Sequence, residues 1–319
     1  MNYWLWLASI EGLGSIKKQK LLENFKNNPE EIFKATEKEL LSVEGIGEKL
    51  AAKIFNHKAA DLILKIEKYM KLNQIKQLNF FDEKYPENLK NIYDPPITLF
   101  YKGHVDLLNT RSVSIIGSRN ATKYGFETAY KIGNECARAN LTVVSGMARG
   151  VDTMAHKGAL NQKGNTIAIV GCGLDRVYPP ENTSLFNDIA MNGLIVSEYV
   201  VGTKIQPGNF PARNRIISAI SNDLIVVEAT EKSGALITVD YALEQGKNIY
   251  AVPGNIDSYK SKGTNELIKN GAFVYTSIKD ILWILQVFQH IYFLILVLYN
   301  KLVKFCRRRR YAKQRKIKW

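Results

Sequence analysis

The chain has 319 residues, 46% hydrophobic and 23% charged, which is enough for a sizeable core and about two domains. Its net charge is +14, but residues 281–319 hold ten Lys or Arg and no Asp or Glu; the first 280 residues carry 34 basic and 30 acidic side chains, a net of +4. Whole-chain basicity is therefore no argument for a nucleic-acid partner by itself. Cys136, Cys172 and Cys306 stand far apart with no C-x-x-C, which argues against a disulfide framework and for a reduced, cytoplasmic protein.

The start, M-N-Y-W-L-W-L-A-S-I-E, has neither a basic n-region nor a cleavage-site pattern and reads as a first helix, not a signal peptide. Residues 1–70 read as a small all-α domain with an internal near-repeat. Glu11-Gly12-Leu13-Gly14 and Glu44-Gly45-Ile46-Gly47 each follow an apolar residue and precede a helix with apolar spacing. The form resembles the helix-hairpin-helix motif, whose Gly-h-Gly turn offers backbone N–H groups to a DNA phosphate without reading bases. The second copy is the better match, so Gly45, Gly47 and Lys49 are secondary DNA-contact candidates, with Lys17, Lys18 and Lys53 placed to help. A hairpin whose glycine turns serve only packing is the alternative.

Residues 71–110 read as a linker region, punctuated by Asp94-Pro95-Pro96, with one short strand at 97–101. Strand and helix patterns then alternate over 111–280. Strands are expected at 113–117, 141–145, 166–170, 194–197, 223–228, 248–252 and 272–275. Helices are expected at 122–139, 152–162, 182–192, 213–221, 235–246 and 263–270. Continuous apolar strands separated by helices imply an α/β fold: an extended Rossmann-like, doubly wound, mostly parallel sheet. Such sheets bind ligands beyond the carboxyl ends of their strands, at the switch in strand order.

Those ends carry small residues, arginine and asparagine. The first strand stops at Gly117-Ser118-Arg119, where free N–H groups at a helix start, together with a guanidinium fork, suit a phosphate. The next edges carry Gly146, Arg149 and Gly150, then Gly171 to Asn182, then Asn209, Phe210, Arg213 and Asn214, then Ser233 and Gly234. Together they predict an anion site. Phe210 is expected in a loop before the helix at 213, either stacking a base or anchoring the loop in the core. Asp152 and His156, at i and i+4, read either as an acid/base pair or as a helix cap with a packing histidine. No G-x-G-x-x-G follows the first strand, no G-x-x-x-x-G-K-[ST] occurs, and no His/Cys/carboxylate cluster has metal-ligand spacing; no cofactor and no metal are expected.

The loops closely resemble those of the DNA-processing protein family DprA, also called Smf, over roughly residues 80–280. The match rests on G-S-R at 117–119, V-V-S-G-M-A-R-G-V-D-T-M-A-H at 143–156, G-C-G-L-D-R-V-Y-P-P-E-N at 171–182 and F-P-A-R-N-R-I-I at 210–217. E-A-T-E-K-S-G-A-L-I-T at 228–238, A-V-P-G at 251–254 and G-T-N-E-L-I-x-x-G-A at 263–272 complete it. The resemblance implies a cytoplasmic protein of natural transformation that binds and protects incoming single-stranded DNA, loads the RecA recombinase onto it, and catalyses no reaction. It implies a phosphate pocket at Ser118 and Arg119, a strand contact at Phe210, and Arg149, Arg213 and Asn214 as neighbours. It also implies a homodimer formed through the later part of the sheet domain, near residues 264–272.

Two departures stand out. Some relatives carry a lysine three residues before the phenylalanine; here that position is Pro207, and the nearest lysine is Lys204. Many relatives end in a winged-helix domain, whereas residues 281–299 here are uncharged and apolar and are followed by a basic tail. Three readings of that tail stand open: a surface-lying membrane contact through 281–303, a genuine nucleic-acid-binding tail, and a frameshift near position 282. A glutamate-rich frame read one base late would produce the run Arg307 to Arg310. A competing function is a phosphoribohydrolase-type nucleotide enzyme on a related scaffold. Those enzymes use a P-G-G-x-G-T loop, and residues 228–235 here have no such glycine run.

Overall fold

The computed structural model describes residues 1–58 and 60–282. Six helices come first: α1 (Tyr3–Ser9), α2 (Ser15–Asn24), α3 (Pro29–Lys34), α4 (Glu37–Leu41), α5 (Glu48–Asn56) and α6 (Ala60–Leu72). Local chemistry sets their ends. Asn2 and Asn28 accept the N–H of Leu5 and Glu30, and Thr36 with Glu39 forms a reciprocal capping box. Their apolar faces (Trp6, Leu21, Ile32, Leu40, Ile54) join one hydrophobic cluster with Phe100, Ala168, Phe186 and Ile195 of the following region.

That region builds a nine-stranded sheet. Its elements are β1 (Lys76–Asn79), α7 (Glu87–Lys90), β2 (Thr98–Gly103), β3 (Ser112–Ile116), α8 (Lys123–Arg138), β4 (Thr142–Ser145), α9 (Val151–Asn161), β5 (Thr166–Ile169) and α10 (Thr183–Asn192). β6 (Leu194–Ser197), α11 (Asn209–Ile220), β7 (Asp223–Val226), α12 (Ala235–Glu244), β8 (Asn248–Ala251), α13 (Lys262–Lys269) and β9 (Phe273–Val274) complete it. The strand order is β1-β2-β6-β5-β4-β3-β7-β8-β9. β1 and β2 are antiparallel to their neighbours; the seven later strands run parallel.

The residues read as a linker therefore do more than link. β1 and β2 extend the sheet, and β2 pairs with β6 in the register Phe100↔Ser197 to Gly103↔Leu194. Only Leu78 of β1 is buried, so its K-Q-L-N sequence carries no strand pattern of its own. The strands and helices expected over 111–280 are present, with ends shifted by one or two residues except for two cases. The helix expected at 213–221 starts four residues earlier, at Asn209, and the last strand shortens to two residues.

Successive residues of β5 divide the core. Ile167 and Ile169 pack with Ile216 and Ile217 of α11, while Ala168 packs with Phe186 and Ile189 of α10. Strands β3 to β7 are buried on both faces, as a doubly wound sheet requires. Cys136 and Cys172 are buried thiols.

Met1–Tyr275 forms one compact unit. In the separate stretch that follows, Asp280 accepts the N–H of Thr276 at 2.7 Å and of Ser277 at 2.9 Å. The tail expected at 281–319, with its membrane contact through 281–303, nucleic-acid-binding tail or frameshift near 282, lies outside the described residues from 283 onward. Among the described residues, no helix is long and apolar enough to cross a membrane.

Candidate functional site

The chain runs outward from β3 through β4, β5 and β6, then returns to place β7 on the other side of β3. The switch point is therefore the crevice between the carboxyl ends of β3 and β7, where such sheets bind ligands. The loops leaving these strands are joined there by backbone contacts. Ser118 N–H donates to Glu228 O at 2.8 Å, and Val151 N–H to Ser118 O at 3.2 Å. Two glycines make the approach possible. A Cβ at Gly117 would lie 2.7 Å from Val151 Cγ2, and one at Gly150, where φ is +81°, would lie 2.2 Å from Ser118 O. Glu228 holds Thr122, the N-cap of α8, accepting Thr122 N–H at 2.8 Å and Thr122 Oγ1–H at 2.5 Å.

A cavity of about 350 Å³ opens at this crevice. Gly117, Ser118, Arg119, Phe210, Arg213, Asn214, Ser233 and Gly234 all line it; Gly146, Arg149, Gly150 and Asn209 do not. Arg119 is exposed at its mouth. Its guanidinium carbon stands 6.0 Å from the centroid of the Phe210 ring. Ser233 and Gly234 precede α12, so the first N–H groups of that helix lie beside the cavity.

Phe210 sits in the first turn of α11, not in a loop before it. Pro211 misled the sequence reading: in the first turn its missing N–H costs no helical hydrogen bond, so it ends nothing. The ring is half-buried over Gly171, where an added Cβ would meet Phe210 Cδ1 at 2.9 Å, and Tyr178 lies 5.1 Å away, centroid to centroid. Phe210 is thus anchored on one side and accessible on the other.

Arg213 differs from the sequence expectation of a neighbour free to meet a ligand. It is 3% exposed, its Nη1–H donates to Gly146 O at 2.9 Å and to Ile169 O, and its Nε–H donates to Asn214 Oδ1 at 3.3 Å. Burial lowers its pKa to about 10, against the raising influence of Asp152. Arg213 is a strut under the cavity floor. Gly146 is small for the same reason: a Cβ there would lie 2.7 Å from Arg213 Nη2 and 2.8 Å from Asp152 Oδ2.

Asp152 and His156 do not form an acid/base pair. Asp152 accepts the N–H groups of Gly146 at 3.2 Å and Ala148 at 3.3 Å, and burial raises its pKa to about 6. His156 is fully buried against Thr166 Oγ1 at 2.7 Å; burial first, and Arg213 second, lower its pKa to about 3. Both serve packing. Arg149 is exposed on the neighbouring loop, in a two-pronged ion pair with Glu181. Asn209 lends its carbonyl to the Tyr199 hydroxyl at 3.3 Å.

Lys260 and Tyr178 are among the residues of this rim that the sequence does not mark as candidates. Lys260 lines the cavity, and nothing in S-Y-K-S-K signals it. Tyr178 sits beside Phe210; its signal was the Y-P-P-E-N segment at the end of the third rim loop, noted without being assigned a role.

The two glycine turns of the helical region share one geometry. Gly12 and Gly45 have φ of +77° and +84°, and Leu13 and Ile46 plug the turns into the core at 3% and 4% exposure. Gly45, Gly47 and Lys49 are exposed, as are Lys17 and Lys53. Lys18 is not free to help: it donates to Ala8 O at 3.0 Å, and burial lowers its pKa to about 8 against the nearby Glu198.

A buried cluster ties this region to the rim. Arg215, one residue beyond Asn214, donates to Glu198 Oε1 and Oε2 at 2.8 and 2.7 Å, to Asp94 O at 3.1 Å and to Ser15 Oγ at 3.4 Å. Burial works against its charge, but Glu198 and Asp94 outweigh that and hold the guanidinium above its ordinary range.

Comparison with known proteins decides the family. The model of the DNA recombination-mediator protein A family matches residues 76–286, which include every element around the cavity. The chain belongs to the DNA recombination-mediator protein A family. A tandem, SAM-like helix-hairpin-helix model matches residues 6–57, in agreement with the repeat of glycine turns. Among this family member's relatives, Protein Smf of Synechocystis is 39% identical over 287 residues, covering 88% of this chain and 71% of its own. The DNA processing protein DprA of Streptococcus pneumoniae is 43% identical over 204 residues, covering 64% and 72%. The X-ray structure of the Streptococcus pneumoniae DNA processing protein A superposes with a TM-score of 0.78 at 34% identity, over 88% of this chain and 97% of that one. The DNA processing protein A of Helicobacter pylori, studied for its single-stranded-DNA binding mode, superposes with a TM-score of 0.61 at 34% identity, over 67% and 96%. The family match upholds both the resemblance read from the rim motifs and the α/β fold with a helical region before it.

Proposed function

We propose that this protein binds single-stranded DNA without sequence specificity at the switch-point cavity and passes the covered strand to a RecA recombinase. The observation that carries the reading is the meeting of Arg119 and Phe210 at the cavity mouth, 6.0 Å apart, in a recombination-mediator fold. Arg119 supplies a fork for two phosphate oxygens, Ser118 and the start of α12 supply polar donors, and the open side of Phe210 supplies a face for a base. Arg213 and Asp152 hold the floor beneath them. The single-strand binding mode studied for the Helicobacter pylori relative supports the same assignment.

No chemical step is assigned to the site. In the loop where the nucleotide hydrolases carry catalytic groups, both oxygens of Glu228 are engaged by Thr122. Gly45, Gly47 and Lys49 act as a secondary contact to the DNA backbone. A homodimer forms through residues 264–272 and the adjoining strand β9, which ends the sheet among the described residues and where Phe273 and Val274 are 48% and 44% exposed. The protein works in the cytoplasm, where its DNA partner lies.

Fluorescence anisotropy with unstructured single- and double-stranded oligonucleotides over a salt series tests the reading. The expected result is a strong preference for single strands and an affinity that falls with salt. Equal affinity for both forms would overturn it. RecA filament assembly on pre-covered DNA tests the second half.

A further inference from the structure

Beyond Phe210 the rim continues as an ordered series of side chains. Tyr178 packs on Phe210 with ring centroids 5.1 Å apart and planes inclined by 43°. The Tyr178 hydroxyl lies beside Arg149. Arg149 in turn presents Nε–H and Nη2–H to the two carboxylate oxygens of Glu181, the second at 3.1 Å. The order along the rim is thus cation, ring, ring, cation: Arg119, Phe210, Tyr178, Arg149.

The loop that carries Tyr178 is held in place. Asn182 donates to Met147 O at 2.9 Å and to Thr153 Oγ1 at 2.8 Å, which ties the loop after β5 to the loop that carries Arg149. Tyr178 itself is half-buried, so one part of its ring is packed and another is open. The two rings are too close for a base to slip between them, since a sandwiched base needs van der Waals clearance on both faces. They form instead a bent platform with two outward faces. That geometry suits two successive bases of a flexible single strand, with a guanidinium at each end for the flanking phosphates.

We propose that Tyr178 is a second base platform in the single-strand site, and that Glu181 holds the Arg149 fork in the DNA-free protein until a backbone phosphate displaces it. The proposal rests on the single-strand reading above and extends it by one nucleotide and one phosphate. A carboxylate and a phosphate present the same pair of oxygens to a guanidinium, so exchange preserves the geometry of Arg149. Both partners of the ion pair are about half exposed, at 52% and 50%, so the pair exchanges in water and not in a closed core. Glu181 also places a negative charge on the path of the strand, which lowers affinity for DNA until it is displaced.

The test uses the full chain and an oligothymidylate of about 12 nucleotides, with anisotropy read over a salt series. Tyr178→Ala weakens binding about 5- to 150-fold, the loss of one stacked base, with no change in salt slope. Tyr178→Phe keeps the ring and recovers most of that loss. Glu181→Gln tightens binding, because the incoming phosphate no longer has to displace a carboxylate from Arg149. Melting temperatures accompany each variant, and the Phe variant separates a lost platform from a disturbed fold. Equal affinity for Tyr178→Ala and wild type overturns the platform; an unchanged affinity for Glu181→Gln overturns the exchange. Those outcomes leave the single-strand reading standing. A wild type that does not bind single strands refutes that reading, and this inference with it.

Discussion

Arg119 and Arg213 stand in motifs of equal weight in the sequence, yet the structure gives them different tasks, and a paired substitution separates them. Arg119→Ala removes an exposed fork from the cavity mouth. A charge-assisted hydrogen bond contributes about 1.5–3 kcal/mol net, which is roughly 10- to 160-fold in Kd. One fewer neutralised phosphate flattens the single-strand salt slope by about 0.7. No buried partner is lost, so stability is unchanged. Arg213→Ala withdraws the donor from the carbonyls of Gly146 and Ile169 and the cation facing buried Asp152. Breaking a buried pair costs about 3–5 kcal/mol. At this chain length that lowers Tm by roughly 6–10 °C. Below the melting range, the salt slope of Arg213→Ala should match wild type. Anisotropy over a salt series and thermal unfolding read both quantities on the same samples. The strut assignment fails if Arg213→Ala melts like wild type and flattens the salt slope as Arg119→Ala does.

Arg215→Ala should lower stability by about 3 kcal/mol, because it takes the bidentate guanidinium from the half-buried Glu198 and leaves that carboxylate with the neighbouring Lys18, and limited proteolysis should then cut first between the helical region and the sheet. A protease-resistance profile unchanged from wild type would show that Arg215 does not join the two. Asp152 provides a pH signature. Its folded pKa of about 6 lies above the ordinary 3.8, so the stability it contributes is full below about pH 3.8 and is lost as pH rises through about 6. The shift corresponds to about 3 kcal/mol. Measured by urea unfolding, wild type should gain about that much relative to Asp152→Asn between pH 7 and pH 4. A difference that does not change with pH would remove Asp152 as the titrating group.

The central parallel strands were legible because they are buried on both faces and so read as continuous apolar runs: S-V-S-I-I, L-I-V-S and D-L-I-V need no tertiary context. The glycine turns were legible for a related reason. A positive φ at Gly12 and Gly45 is a local requirement, and the repeat announces it twice. Strand β1 was not legible, since an edge strand with one buried side chain has no period to detect. Nor was the start of α11, because Pro211 reads as a breaker unless one already knows that it falls in the first turn.

The sequence alone determined which residue types gather on the carboxyl rim, and through their motifs it determined the family. It could not decide which of them face the strand. Positions 213, 214 and 215 point to successive sides of one helix, each turned by about 100° from the last, and only the packing of α11 says what lies on each side. Arg213 meets the buried carbonyls of Gly146 and Ile169, Arg215 meets Glu198, and Asn214 is left at the cavity. The cavity itself is also tertiary. Ser118 and Glu228 are far apart in the chain and meet only because β7 returns to the free side of β3, where backbone hydrogen bonds hold their loops together.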